Sequence, residues 1–196
     1  DKNVPVVERV RFLGIFSNNQ DEFFRVRVAD VRRRALLEKE YNEENAAKLL
    51  AVIQEKVMAL SGKFDVIYKD VVRELAKHKI YFVDHTHLSK FHETWLIDFF
   101  QQQVLKHVRP LIPSKTRKLI DLIEDNTTYF AVQMENGEHT EYAVVEVPTN
   151  EVSRFILLPP EKSKVKKEVI LLDDVILLNL ANIFRGFFQF DKISAY

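Results

Sequence analysis

Leu50, Ile53, Val57, Leu60, Phe64, Ile67, Val71 and Leu75 recur at intervals of three and four without a lapse. Only an α-helix lines up such positions on one face, so residues 42–78 are expected to form a single long amphipathic helix. Gly62 interrupts the run at a cost of about 1 kcal/mol relative to alanine, which a continuous apolar stripe absorbs. A stripe of this length has to be covered, either by neighbouring helices in an antiparallel bundle or by a helix of another chain in a coiled coil.

The residues before it carry two shorter helical patterns. Val6, Val10 and Leu13 form one, and Phe24, Val28, Val31 and Ala35 form the next, which predicts two helices meeting at Ser17 to Gln20. Ser17, Asn18, Asn19 and Asp21 suit such a joint in two ways. They can cap the free backbone donors of the second helix, with Asp21 and Glu22 in its first turn, or they can present amides and acids to a ligand. Arg25 and Arg32 are seven apart, as are Arg27 and Arg34, so each pair falls near one helical face. They are candidate phosphate contacts or, equally, a solvated face paired with acids such as Glu38 and Glu40.

After the long helix, Leu88, Phe91, Trp95 and Phe99 predict another over 86–108, ending before Pro110 and Pro113. The period then falls from 3.6 to 2. Thr127–Met134 and Glu141–Val147 read as strands flanking Asn136-Gly137, a hairpin signal because both residues accept positive φ. Arg154–Leu158 and Glu168–Leu172 read as further strands on either side of a lysine-rich loop, and Asp173 as the cap of a helix to Phe184. Ile193–Tyr196 reads as a strand whose partners lie beyond the end. The expected class is α+β, with a helical N-terminal domain over 1–105, packed as an antiparallel bundle, and the first part of an α/β head domain over 106–196.

At 46% hydrophobic and 11% aromatic the 196 residues can bury a core. Lysine and arginine balance aspartate and glutamate at 29 each, so no global field favours nucleic acid or an anionic membrane. The absence of cysteine excludes disulfides and thiolate chemistry, and with no apolar run near the ~20 residues of a span a cytoplasmic protein, at most peripherally attached to a membrane, is expected. Asp1 in place of methionine and the apolar end at Tyr196 point to a piece of a longer chain.

Chemistry is scarce in the pattern. Glycine occurs only at 14, 62, 137 and 186, which excludes the Gly-rich phosphate loops. Asp84-His-Thr-His87 with His92 and Glu93 has metal-ligand residue types, but His85 and His87 are two apart and no partner motif lies elsewhere, so no metal is assigned. No catalytic residue is identified in the chain. Lys162, Lys164, Lys166 and Lys167 form a second basic group, either a soluble loop or a polyanion contact. A helical adaptor using the Leu50–Leu75 stripe and a polyanion-binding module therefore stand as non-enzymatic alternatives.

Glu8-Arg-Val-Arg-Phe-Leu-Gly-Ile-Phe-Ser-Asn-Asn-Gln-Asp-Glu-Phe-Phe-Arg-Val-Arg27 closely resembles the N-terminal domain of the long, histidine-dependent bacterial polyphosphate kinases. The similarity continues in order through Lys79-Ile-Tyr-Phe82, Tyr129-Phe-Ala-Val132, Val152-Ser-Arg-Phe-Ile-Leu-Leu-Pro-Pro160, Ile170-Leu-Leu-Asp-Asp174 and Asn182-Ile-Phe-Arg-Gly-Phe-Phe188. The resemblance implies a reversible transfer of the terminal phosphate of ATP to polyphosphate through a phosphohistidine. The histidines and the magnesium would belong to C-terminal domains absent from this sequence, so the piece alone is expected to be inactive. It further implies that Asn19, flanked by Asn18 and Asp21, contacts adenine, and that the head domain takes part in a homodimer or higher homo-oligomer, with the Asn136-Gly137 hairpin as a participant. Gln20 stands where the family commonly has an apolar residue, a departure that bears on local packing.

Overall fold

The computed structural model describes residues 3–37 in full, the backbone of 38–41, and residues 45–113, 119–161 and 166–196. It divides into two compact units, 1–79 and 80–196.

In the first unit α1 (Val6–Glu22) runs through a π-helical stretch, Phe23–Val28, directly into α2 (Ala29–Tyr41). No proline lies between Pro5 and Tyr41, so nothing in the sequence breaks the ladder. The joint expected at Ser17 to Gln20 does not exist. These residues sit inside α1, and their backbone groups are taken by the helix itself: the Phe23 N–H donates to the carbonyls of both Asn19 and Gln20. The two apolar patterns that suggested two helices are one stripe with a phase adjustment. Partly buried positions fall at 6, 9, 13, 16 and 20, and resume at 28, 31 and 35. Eight residues overshoot two α-turns at 3.6 residues each, and the wider π turn takes up the excess, returning buried Val28 to the inward face.

That face packs on α3 (Asn45–Lys77), the long helix read from the stripe; residues 42–44 of the expected span lie outside the described residues. Phe16 stacks on Phe64 with centroids 5.7 Å apart, while Arg9 lies by Asp70, Glu74 and Lys77, so the two long helices run antiparallel. A pair of helices encloses little. Among the described residues Val28, Ala46 and Val71 are its buried apolar ones, and Phe12, Met58 and Val66 remain more than 60% exposed.

The second unit contains the larger core. β1 (Ile80–Val83) pairs in parallel with β6 (Lys167–Leu171), which pairs antiparallel with β5 (Phe155–Leu157). A second sheet has the order β2 (Pro110–Leu111), β4 (His139–Glu146), β3 (Tyr129–Asn136), β7 (Lys192–Ala195). β7 is antiparallel to β3 within the chain, so the strand expected to seek partners beyond the end already has one. The β3–β4 hairpin forms as read, with its turn one residue later than Asn136-Gly137. Asn136 pairs with His139, leaving Gly137 and Glu138 as the loop, and Gly137 takes φ +57°, the geometry a II′-type turn asks of its first central residue. The Asn136 side chain instead donates to the Gln189 carbonyl at 3.2 Å.

α4 (Lys90–Phe99) continues through π and 3-10 turns to His107 and stops short of Pro110. Its Ser89 cap accepts from the His92 N–H at 3.2 Å. Leu96, Phe100 and Val104, four apart, are completely buried in the core of the second unit. This helix was expected to close the first domain near Leu105; its buried stripe instead puts it in the second unit, and the division falls at Lys79 and Ile80. α5 (Leu172–Leu178) follows β6 without a side-chain cap. Asp173 sits in its first turn and holds Arg154 through two hydrogen bonds of 2.9 and 3.1 Å. The expected single helix to Phe184 is broken at buried Asn179, whose amide donates to the Val175 carbonyl at 2.9 Å, and α6 (Leu180–Phe184) resumes beyond it.

His92 ties these layers together. It is 3% exposed, and its Nε2–H donates to the Pro159 carbonyl at 2.9 Å. His92→Ala removes a buried ring and orphans a carbonyl, so it should lower the unfolding free energy by about 2–4 kcal/mol in urea titrations, with His92→Gln recovering part of the loss. In the helical unit an added Cβ at Gly14 or Gly62 meets nothing within 4 Å, and both lie inside helices. Each change to alanine should therefore stabilise that unit by about 0.5–1 kcal/mol, read as a rise of a few degrees in its melting temperature.

Candidate functional site

Ser17, Asn18, Asn19 and Asp21 are exposed on α1, while Gln20 is partly buried. Ser17 and Gln20 line a cavity of about 150 Å³ with Ser61, Phe64 and Asp65 of α3. The departure at Gln20 is thus matched by polar groups opposite it. The outcome is a helix that alternates inward contacts with outward amides, each amide able to donate and to accept. Capping, one of the two explanations for these residues, is excluded by their place inside the helix.

Arg25 lies in the π stretch and Arg32 in α2, so the seven-residue spacing spans a change of helical pitch. Arg33 and Arg34 both reach Asp30, at 2.7 Å each. The Arg33 hydrogen bond, against an opposing cost of desolvation, and the charges of the two guanidiniums hold the Asp30 carboxyl below its ordinary pKa. Arg34 is therefore occupied by Asp30. The side chains of Glu38 and Glu40, offered as partners for this group, lie outside the described residues.

Between α1 and α3 runs an apolar groove of about 600 Å³ lined by Phe12, Leu13, Phe16, Leu60, Phe64 and Ile67, with Arg9, Lys63 and Asp70 at its rim. It occupies part of the Leu50–Leu75 stripe. The rest of that stripe is packed by α1 and α2, so the surface an adaptor would need is already largely engaged within the chain.

The histidine cluster is dispersed into separate structural tasks. Asp84 accepts from the Thr86 N–H and hydroxyl and from His87 Nδ1, and these bonds, the Thr86 hydroxyl foremost, hold its carboxyl down to about 2. His85 donates through its backbone N–H and Nδ1 to Asp174, at 3.1 and 2.7 Å, joining the end of β1 to the start of α5. His92 is buried under Pro159. Among the described residues no group of three or more His, Asp or Glu stands together in a way that would hold a metal ion. Of the lysine group, Lys162 and Lys164 lie outside the described residues. Lys166 pairs with Glu168 and sits 5.9 Å above the Tyr81 ring, and Lys167 is exposed in β6. No described helix is long and apolar enough to cross a membrane.

One feature of the second unit escaped the sequence reading. Trp95, Phe99, Gln103 and Lys106 share a groove with Glu151 and β5. Their spacing of 4, 4 and 3 is the available signal, of which Trp95 and Phe99 are used in the sequence reading only to place a helix.

Comparison with known proteins follows the two units. The polyphosphate kinase N-terminal domain model matches residues 1–83, and the polyphosphate kinase middle domain model matches residues 92–195. The polyphosphate kinase of Vibrio vulnificus strain YJ016 is 41% identical over 197 residues, covering all of this chain and 28% of that protein. That of Escherichia coli K12 is 37% identical, covering all of this chain and 29% of its own length. The crystal structure of polyphosphate kinase from Porphyromonas gingivalis superposes with a TM-score of 0.81 at 29% identity, over the whole of this chain and 29% of that one. The chain spans less than a third of the length of these relatives. With both of its units matched in order, the chain belongs to the polyphosphate kinase family.

Proposed function

We propose that these residues form the nucleotide-contacting and subunit-associating part of an enzyme that reversibly transfers the terminal phosphate of ATP to polyphosphate in the cytoplasm. The observation that carries the reading is the ordered match of both units to the family's N-terminal and middle domains, with Asn19 exposed on the matched helix. The covalent step, on a phosphohistidine, belongs to polypeptide outside residues 1–196, and the piece alone is inactive. Magnesium, when bound, would supply charge neutralisation for the transferring phosphate, and on the same reading its ligands belong to that other polypeptide.

What this chain contributes is positioning. The Asn19 amide donates to and accepts from the purine edge, Asn18 and Asp21 flank that contact, and Arg25 and Arg32 lie along the same continuous helix as phosphate contacts. Subunit association, in a homodimer or higher homo-oligomer, falls to the head unit with its β3–β4 hairpin. Asn19→Ala in the complete enzyme should raise KM for ATP about five- to thirtyfold, the worth of one or two hydrogen bonds, with the circular dichroism unchanged because Asn19 is exposed. Steady-state kinetics identical to the parent enzyme would remove Asn19 from the site.

A further inference from the structure

We propose that the groove between α4 and β5 in the second unit is a binding site for a nucleoside phosphate, separate from the Asn19 contact. Trp95 and Phe99 form one wall. Their rings lie nearly parallel, with centroids 5.2 Å apart and an angle of 16° between planes. Gln103 and Lys106 extend the same wall, and Phe155, Ile156 and Leu157 form the opposite one, enclosing about 460 Å³. That volume is within the usual range for small-ligand pockets.

Both walls are fixed from behind. Leu96, Phe100 and Val104 bury the inner face of the α4 helix, and Ile156 anchors β5 in the same core. The groove therefore exists before any ligand arrives, and little ordering opposes binding. Its chemistry is divided along its length. Stacked on one another, the two rings give the groove aromatic surface, which suits a base and gives no advantage to a bare polyanion. Lys106 is exposed, and nothing described is bonded to it, so its charge is available to a phosphate. Glu151 Oε2 stands 3.9 Å from His107 Nδ1, too far for a hydrogen bond, so its carboxylate oxygens can accept from ribose hydroxyls. An aromatic wall, a cation and an acceptor within one groove match the three parts of a nucleotide.

Trp95 is the only tryptophan of the chain, so its fluorescence reports this groove alone. The 196-residue chain is titrated with ADP, with adenosine and with inorganic tripolyphosphate. ADP should quench Trp95 saturably, adenosine should reach the same amplitude with a weaker midpoint, and tripolyphosphate should leave the emission unchanged. Lys106→Met should raise the ADP midpoint about three- to fivefold, the worth of one exposed ion contact, without moving that of adenosine. Asn19→Ala should leave every midpoint in place, which separates this site from the proposed adenine contact on α1. No saturable change with ADP overturns the proposal. So do a response to tripolyphosphate equal to that of ADP, no response to adenosine, a Lys106→Met titration superposing on the parent, or loss of the signal in Asn19→Ala.

Discussion

Leu96, Phe100 and Val104 form a stripe that is completely buried, and much of the second unit follows from it. Three large apolar side chains four residues apart, each contributing about 1.5–3 kcal/mol on burial, cannot be detached from the sheets that cover them without dismantling the core. The α4 helix therefore has to belong to the unit that holds β3, β4 and β6, which moves the boundary between units to the start of β1. The same burial fixes the outer side of the helix. Trp95 and Phe99 stand next to Leu96 and Phe100 in sequence and so emerge about 100° around the axis, at the groove beside β5. His92, one turn earlier, is carried under the Pro159 carbonyl by the same constraint.

The first unit is governed by a different limit. Two helices in contact bury one stripe each and leave their remaining apolar positions in the open, so this unit has a thin core and a groove of about 600 Å³ along its length. Contact over thirty residues also demands that the inward face stay in phase. An α-helix drifts relative to the spacing of its own apolar residues, and here the drift is absorbed in one place, the π stretch Phe23–Val28. One additional residue in that turn restores Val28, Val31 and Ala35 to the surface of α3.

The long helix α3, the hairpin, and the α4 helix with its end before Pro110 were legible because each rests on a repeated local signal that tertiary structure did not override. The errors share another cause. Ser17 to Gln20 contain good capping residues, but a cap forms only where the ladder ends, and a break in apolar phase looks the same in sequence whether the chain turns or inserts a π turn. Asp173 was read as a cap for a similar reason, while its carboxylate is held by Arg154, nineteen residues earlier, a pairing no local pattern encodes. The pairing of β7 with β3 joins residues some sixty apart, and nothing in Ile193–Tyr196 alone announces it. The proposal of Asn19 as a site residue rests on resemblance, since an exposed asparagine on a helix has no signature of its own.

The proposed contact at Asn19 lies close to the π stretch, which bears on how a helix can serve a ligand. A loop-borne amide loses backbone freedom on binding, at about 1–2 kcal/mol per residue ordered, whereas an amide on α1 has surrendered that freedom on folding. The Asn19 and Gln20 carbonyls share the Phe23 N–H, so the wide turn begins on the residues that present the amides. A rigid carrier needs its orientation set by something, and the π stretch does this twice over: it holds Gln20 against α3 on one side of the turn and Val28 on the other. Removing the additional residue would leave either Val28 or Gln20 off α3 by roughly the 100° of one helical residue. The direction of the outward amides and the packing of the helical pair are thus one constraint.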